Sequence, residues 1–158
     1  MKHILTTTFL AIALLLCLCA SGVQAQTQDR PFTEGPVWRV SHLKTRVGKR
    51  SDFLKYLQEH VKPVLDEEKR QGLILDYKYF SKPTSDGAND WDIALGISFR
   101  NYGEALDFND DRSKKFDAIN LKHYGSVEAQ TKMNELRDQM RDVVSVEIMQ
   151  EMILNPLK

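Results

Sequence analysis

Cysteine is scarce. The 158-residue chain holds two, Cys17 and Cys19, and both lie close to its N-terminus. They belong to a stretch that reads as a secretory signal. Met1, Lys2 and His3 form a short basic start, Ile4 to Leu18 is mainly apolar, and Val23-Gln24-Ala25 supplies small residues where a signal peptidase reads. Cleavage is expected after Ala25, with cleavage after Gly22 and an uncleaved anchor as the alternatives. The apolar run is short of the ~20 residues of a spanning helix. A lipid anchor is excluded because Leu precedes each cysteine. Without residues 1–25 the chain has no cysteine, hence no disulfide, no thiolate metal ligand and no cysteine nucleophile. An exported domain with no disulfide is held by packing alone, which points to a bacterial periplasmic or secreted protein.

An excess of one charge is also missing. The 22 Lys and Arg balance the 22 Asp and Glu. Lys2 is the only one of these in the leader, so the remainder stays within one charge of neutral. That removes any electrostatic reason to expect nucleic acid, or an anionic membrane after leader removal, as a partner. Phosphate-cradling glycine loops, the G-x-S-x-G elbow and H-E-x-x-H are absent too. Asp107-Phe108-Asn109-Asp110-Asp111 opens like a calcium loop. Its sixth position is Arg112 and its twelfth Ala118, which excludes an EF-hand and leaves a solvated acidic helix turn. His42, His60 and His123 fall on three different elements with no ligand spacing, so neither a metal nor a cofactor is expected.

The most informative stretch present is Trp91 to Arg100, WDIALGISFR. On a strand it places Trp91, Ile93, Leu95, Ile97 and Phe99 on one face and Asp92, Ala94, Gly96, Ser98 and Arg100 on the other. Ahead of it, Gln26 to Pro36 reads as a flexible linker and 37–158 as one domain. Val37 to Arg46 is a first strand of imperfect period, with Val37, Arg39, Ser41 and Leu43 on one side and Trp38, Val40, His42 and Lys44 on the other. Which side meets the core stays open.

A helix capped by Ser51 follows, with a stripe of Phe53, Leu57, Val61, Val64 and Leu65, a kink or break expected at Pro63, and a stop at Gly72. Leu73 to Ser81 is a second strand, and Lys82 to Asp90 a hairpin loop into the third. The region Glu104 to Asp142 is helical and divided at Gly125-Ser126, with Ser126 as a cap. Val143 to Leu154 is a fourth strand. The order strand, helix, strand, strand, helices, strand gives an α+β fold of ferredoxin-like βαββαβ plan, a four-stranded antiparallel sheet with helices on one face.

Two junctions carry a resemblance. Val47-Gly48-Lys49-Arg50-Ser51-Asp52-Phe53 after a strand, and a Trp-Asp strand running into Asn101-Tyr102-Gly103-Glu104-Ala105-Leu106, are similar to the corresponding turns of the dimeric α+β barrel superfamily. That resemblance implies a homodimer in which two sheets close into a dimeric α/β barrel with a lumen. The superfamily includes cofactor-independent monooxygenases, haem-degrading proteins and exported proteins with no assigned role. Independently, helices on one side leave the other side of the sheet for water or a second sheet. If the bulky face takes the helices, the mixed face lines the lumen; the reverse assignment is the alternative.

The candidate ligand-binding residues are His42 on the first strand and Asp92, Ser98, Arg100 and Glu147 on the mixed face. Arg100 and Glu147 could hold an anionic or hydrogen-bonding ligand, or form an ordinary cross-strand ion pair. Asp92 stands near a strand start, where rim duty competes with binding. His42 could orient a phenolic substrate, with Trp38, Tyr77, Tyr79 and Trp91 as aromatic walls or as core. The expected function is an exported homodimer that binds a small, partly apolar or aromatic molecule without established catalysis. A cofactor-independent monooxygenase of the antibiotic-biosynthesis type and a non-catalytic assembly or interaction module are the alternatives.

Overall fold

The computed structural model describes residues 30–157 apart from Ser85, Asp86 and Asn89. The signal-peptide reading of residues 1–25 lies outside the described residues. Four strands, β1 (Phe32–Thr45), β2 (Asp76–Ser81), β3 (Ile93–Phe99) and β4 (Arg141–Leu154), pair antiparallel throughout in the order β2-β3-β1-β4. The first and third strands of the sequence are therefore central, and each half of the chain returns through a helical crossover. The fold is ferredoxin-like.

The crossovers are α1 (Arg50–Tyr56), a π-helical turn (Leu57–Val61) and α2 (Lys62–Arg70) in the first half. The second half has α3 (Tyr102–Leu106), α4 (Asp110–Tyr124) and α5 (Val127–Met140). Apolar side chains at helical spacing bury this layer on the sheet. Phe53, Tyr56 and Leu57 meet Leu43, Ile93 and Met140, while Leu65 meets Ile74 and Phe99. The bulky face of β3 does take the helices, with Leu95 and Ile97 packed beside that second cluster.

Pro63 acts as the sequence suggests, but one turn early. A proline cannot donate to the carbonyl four residues back and crowds it. The chain widens just before it, with the Lys62 amide bonding the Leu57 carbonyl five residues back, and resumes as α2 with proline in its first turn. Ser126 caps α5 by accepting from the Ala129 amide, and Asn109 caps α4 with Asp110 and Asp111 in its acidic first turn.

Several boundaries differ from the sequence reading. β1 begins at Phe32, inside the stretch read as linker, because Phe32 to Glu34 pair with Met152 to Leu154 at the far end of β4. Ser51 lies inside α1, which Lys49 precedes without any side-chain cap. β2 begins at Asp76, since the Leu73 amide bonds the Glu68 carbonyl and Leu73 and Ile74 bury themselves under the helices. The chain bends at Asp92, whose amide bonds the Leu43 carbonyl. The bend breaks the alternation, and Trp91 falls on the face opposite Ile93.

The helices cover β3 and part of β1, while β2 stays largely exposed beyond Tyr77. β4 stands at the sheet's edge, and Val143, Val146, Met149 and Met152 along it remain exposed.

Candidate ligand groove on the helix-free face

On the side of the sheet away from the helices, alternation brings Trp38, Val40 and His42 of β1 together with Lys78 and Phe80 of β2, Ala94 of β3 and Met149 of β4. They line an open groove of about 700 Å³, closed at one end by Trp91. Small residues on β3 make the room. Trp38 lies across Gly96, where an added Cβ would stand 3.2 Å from the Trp38 ring. Only glycine lets this indole lie so close to the sheet.

Polar groups hold the aromatic ones in place. Trp38 Nε1 donates to Glu151 Oε1 at 2.5 Å, and the Lys78 ammonium stands 5.1 Å from the Trp38 ring centre. Lys82 stands 5.3 Å from that of Trp91. His42 packs on Trp91 with ring centres 4.7 Å apart, its Nδ1 3.1 Å from Ser145 Oγ and 3.6 Å from Glu147 Oε1. The groove is thus an aromatic trough with one hydrogen-bonding station on its floor, a form suited to orienting a flat, partly polar molecule. Among the described residues no three His, Cys, Asp or Glu converge as a metal requires.

The five sequence candidates do not form one site. His42 and Glu147 meet. Ser98 shares their face but is buried, paired in register with Trp38 and Asp76 and outside the groove lining. Asp92 serves the frame. It accepts from the Thr45 amide at 2.9 Å, from Thr45 Oγ1, and from Arg50 Nη1 at 2.6 Å. Burial alone would raise its pKa, yet the Thr45 bonds and the Arg50 guanidinium outweigh that and hold it below the ordinary carboxylate value. Arg100 lies beyond the end of β3, bonded to Glu104 Oε1 at 2.8 Å and to the Gly72 carbonyl at 3.2 Å. Arg100 and Glu147 therefore do not pair, because the chain bends at Arg100 and the side chain turns to the α2–β2 connection.

Tyr77 and Tyr79 are on the helix side, Tyr77 bonding Asp66 of α2 and Tyr79 beside Leu54 and Leu57. Lys78, Phe80 and Glu151 were missed as groove residues. The alternation of β2 signals the first two, since Lys78 and Phe80 fall opposite Tyr77 and Tyr79.

Among the solved structures similar to this chain are two dimeric proteins. One is a dimeric protein of unknown function and ferredoxin-like fold from Bacteroides fragilis, 14% identical, covering 76% of this chain and 97% of that one at a TM-score of 0.41. The other is a dimeric ferredoxin-like protein from an uncultured marine organism, 10% identical, covering 80% of this chain and 93% of that one at a TM-score of 0.42. At these values nothing passes from them to this chain. No protein-family model matches the sequence, and no curated protein does.

Proposed function

We propose that this chain is an exported homodimer whose helix-free faces meet around a shared chamber that binds a small, partly aromatic molecule. One observation carries the reading: Trp38, Phe80, Trp91 and Met149 line a groove on a sheet face that no helix among the described residues covers. Exposed aromatic and apolar side chains gathered on one face mark a surface meant to be covered. The leader-like residues 1–25 support export.

The charges favour a second copy as the cover. The β2 side of the groove carries Lys78 and Lys82, and the β4 side carries Glu147 and Glu151. A twofold axis between two such faces, parallel to the strands, lays β2 of one copy over β4 of the other. Basic and acidic margins then oppose each other, and the troughs face across the axis. The ligand's rings would lie against the indoles and its polar group on His42 and Ser145.

His42 also supports the rival reading of a cofactor-independent monooxygenase. Set between Trp91 and Glu147, it could take a phenolic proton. Oxygen uptake with a hydroquinone, lost in His42→Ala, would establish that chemistry.

The binding test uses the protein's own reporters. Both tryptophans of the chain line the groove, so all tryptophan emission arises there. Titration with 2-naphthol is expected to change that emission saturably, and Met149→Glu to weaken the response about tenfold. Emission unchanged across naphthols and hydroquinones would rule out the chamber as an aromatic site and favour a solidly filled interaction module.

A further inference from the structure

The other side of the sheet carries an anomaly. On β3, Ala94 and Ser98 face away from the helices and are 2% and 1% exposed, whereas Leu95 and Ile97 face the helices and are only half-buried. The helix layer stands off from the middle of the sheet, leaving a cleft of about 490 Å³ with Leu95, Ile97 and Phe99 among its floor residues.

Arg39 of β1 lines this cleft. Val37 and Leu43, on the same side of the strand, are buried apolar residues, so an arginine between them stands at a core position. It lies 5.6 Å from the centre of the Phe99 ring and makes no hydrogen bond or ion pair among the described residues. Arg112 is different, since it is tied to the Leu73 carbonyl at 2.6 Å and to the Glu104 carbonyl. Arg137 lies 3.2 Å from Asp138. Of the arginines lining the cleft, Arg39 alone makes neither a hydrogen bond nor an ion pair among the described residues.

We propose that each protomer has a second binding site in this helix–sheet cleft, which takes a small carboxylate with an apolar body, the carboxylate gripped by Arg39 and the body laid on Leu95, Ile97 and Phe99. A free guanidinium offers two parallel donors to one carboxylate, and Leu95, Ile97 and Phe99 offer a hydrocarbon or aromatic body an apolar bed. The site lies across the sheet from the groove and needs no second copy.

Glu68 of α2 adds a dependence on pH. It is buried in the cleft wall, and burial pushes its carboxyl up to about 7 against the opposing pull of Arg39 and Arg112. Arg39 from β1 and Arg112 from α4 act on it directly, and the other titratable or charged groups lining the cleft are Tyr124 from α4, Arg137 from α5, Glu104 from α3, Asp107 between α3 and α4, and His60 on its own helical arm. Once ionised, Glu68 both attracts Arg39 and repels a bound carboxylate. Affinity should fall as pH rises through about 7.

Methyl and amide NMR titrations with octanoate and octanamide test this. Octanoate is expected to shift Leu95 and Ile97 saturably and to bind about tenfold tighter than octanamide. Arg39→Met should remove that preference and leave octanamide binding unchanged, while Arg39→Lys, which keeps the charge and loses the fork, should fall between. Arg39 is exposed, so these variants keep the fold, which their spectra report directly. Glu68→Gln should keep the preference and abolish its decline between about pH 6 and about pH 8. Equal binding of acid and amide, octanoate affinity unchanged by Arg39→Met, or shifts confined to Trp38 and Ala94 across the sheet would each overturn the proposal.

Discussion

Phe80→Asp is expected to turn the proposed dimer into a monomer that keeps its fold. In the single chain Phe80 is 48% exposed, so an aspartate there is solvated and costs the protomer little. In the dimer the same change places a carboxylate at the covered face twice, once per copy. It also meets the margin carrying Glu147 and Glu151 and weakens the basic margin that Lys78 and Lys82 form on either side of it. Burying a carboxylate against like charges costs about 2 kcal/mol per copy, so the pair weakens association on the order of a thousand-fold. Sedimentation velocity would show the monomer, and far-ultraviolet circular dichroism an unchanged fold. A variant that still dimerises would place the contact elsewhere.

Asp92→Ala is expected to cost about 3 kcal/mol of folding stability. The carboxylate joins the end of β1, through Thr45, to the start of α1, through Arg50, and Arg50 in turn reaches Ser81 Oγ at 2.8 Å. Losing a partly buried charged acceptor of several bonds costs more than a neutral hydrogen bond and leaves the Thr45 amide unpaired. The pH dependence has a definite sign. The folded pKa of Asp92 lies below the unfolded one, so its contribution is present in full above the unfolded value of about 3.9. It disappears as pH falls through the folded value. Urea unfolding should therefore separate wild type from variant at about pH 7 and show a narrower gap at about pH 3. An equal gap at both would show that Asp92 acts by packing and not by charge.

Much of the frame can be read from the chain because it rests on periodicity. Ile93, Leu95, Ile97 and Phe99 alternate, Phe53, Leu57, Val64 and Leu65 step at helical spacing, and Gly125-Ser126 interrupts a helix where a cap is needed. Each pattern has one cheap way to bury its apolar side. What could not be read depends on backbone events with no period. The bend at Asp92 moves Trp91 to the groove, the turn after α2 hides Leu73 and Ile74, and the bend at Arg100 withdraws a residue that alternation assigns to the sheet face. Arg39 could have been noticed, since Arg39 and Ser41 between Val37 and Leu43 are polar at core positions. That combination means either a misjudged face or a gap above the sheet, and alternation alone does not choose between them.

The dimer is the claim on which the shared chamber depends. Sedimentation equilibrium on the leader-free protein at micromolar concentration is the direct measurement. A mass twice that of the chain, falling to one chain in Phe80→Asp, is the predicted result. A wild-type protein that stays monomeric at that concentration would contradict the covered face and the chamber together, leaving the cleft beside Arg39 to stand by itself.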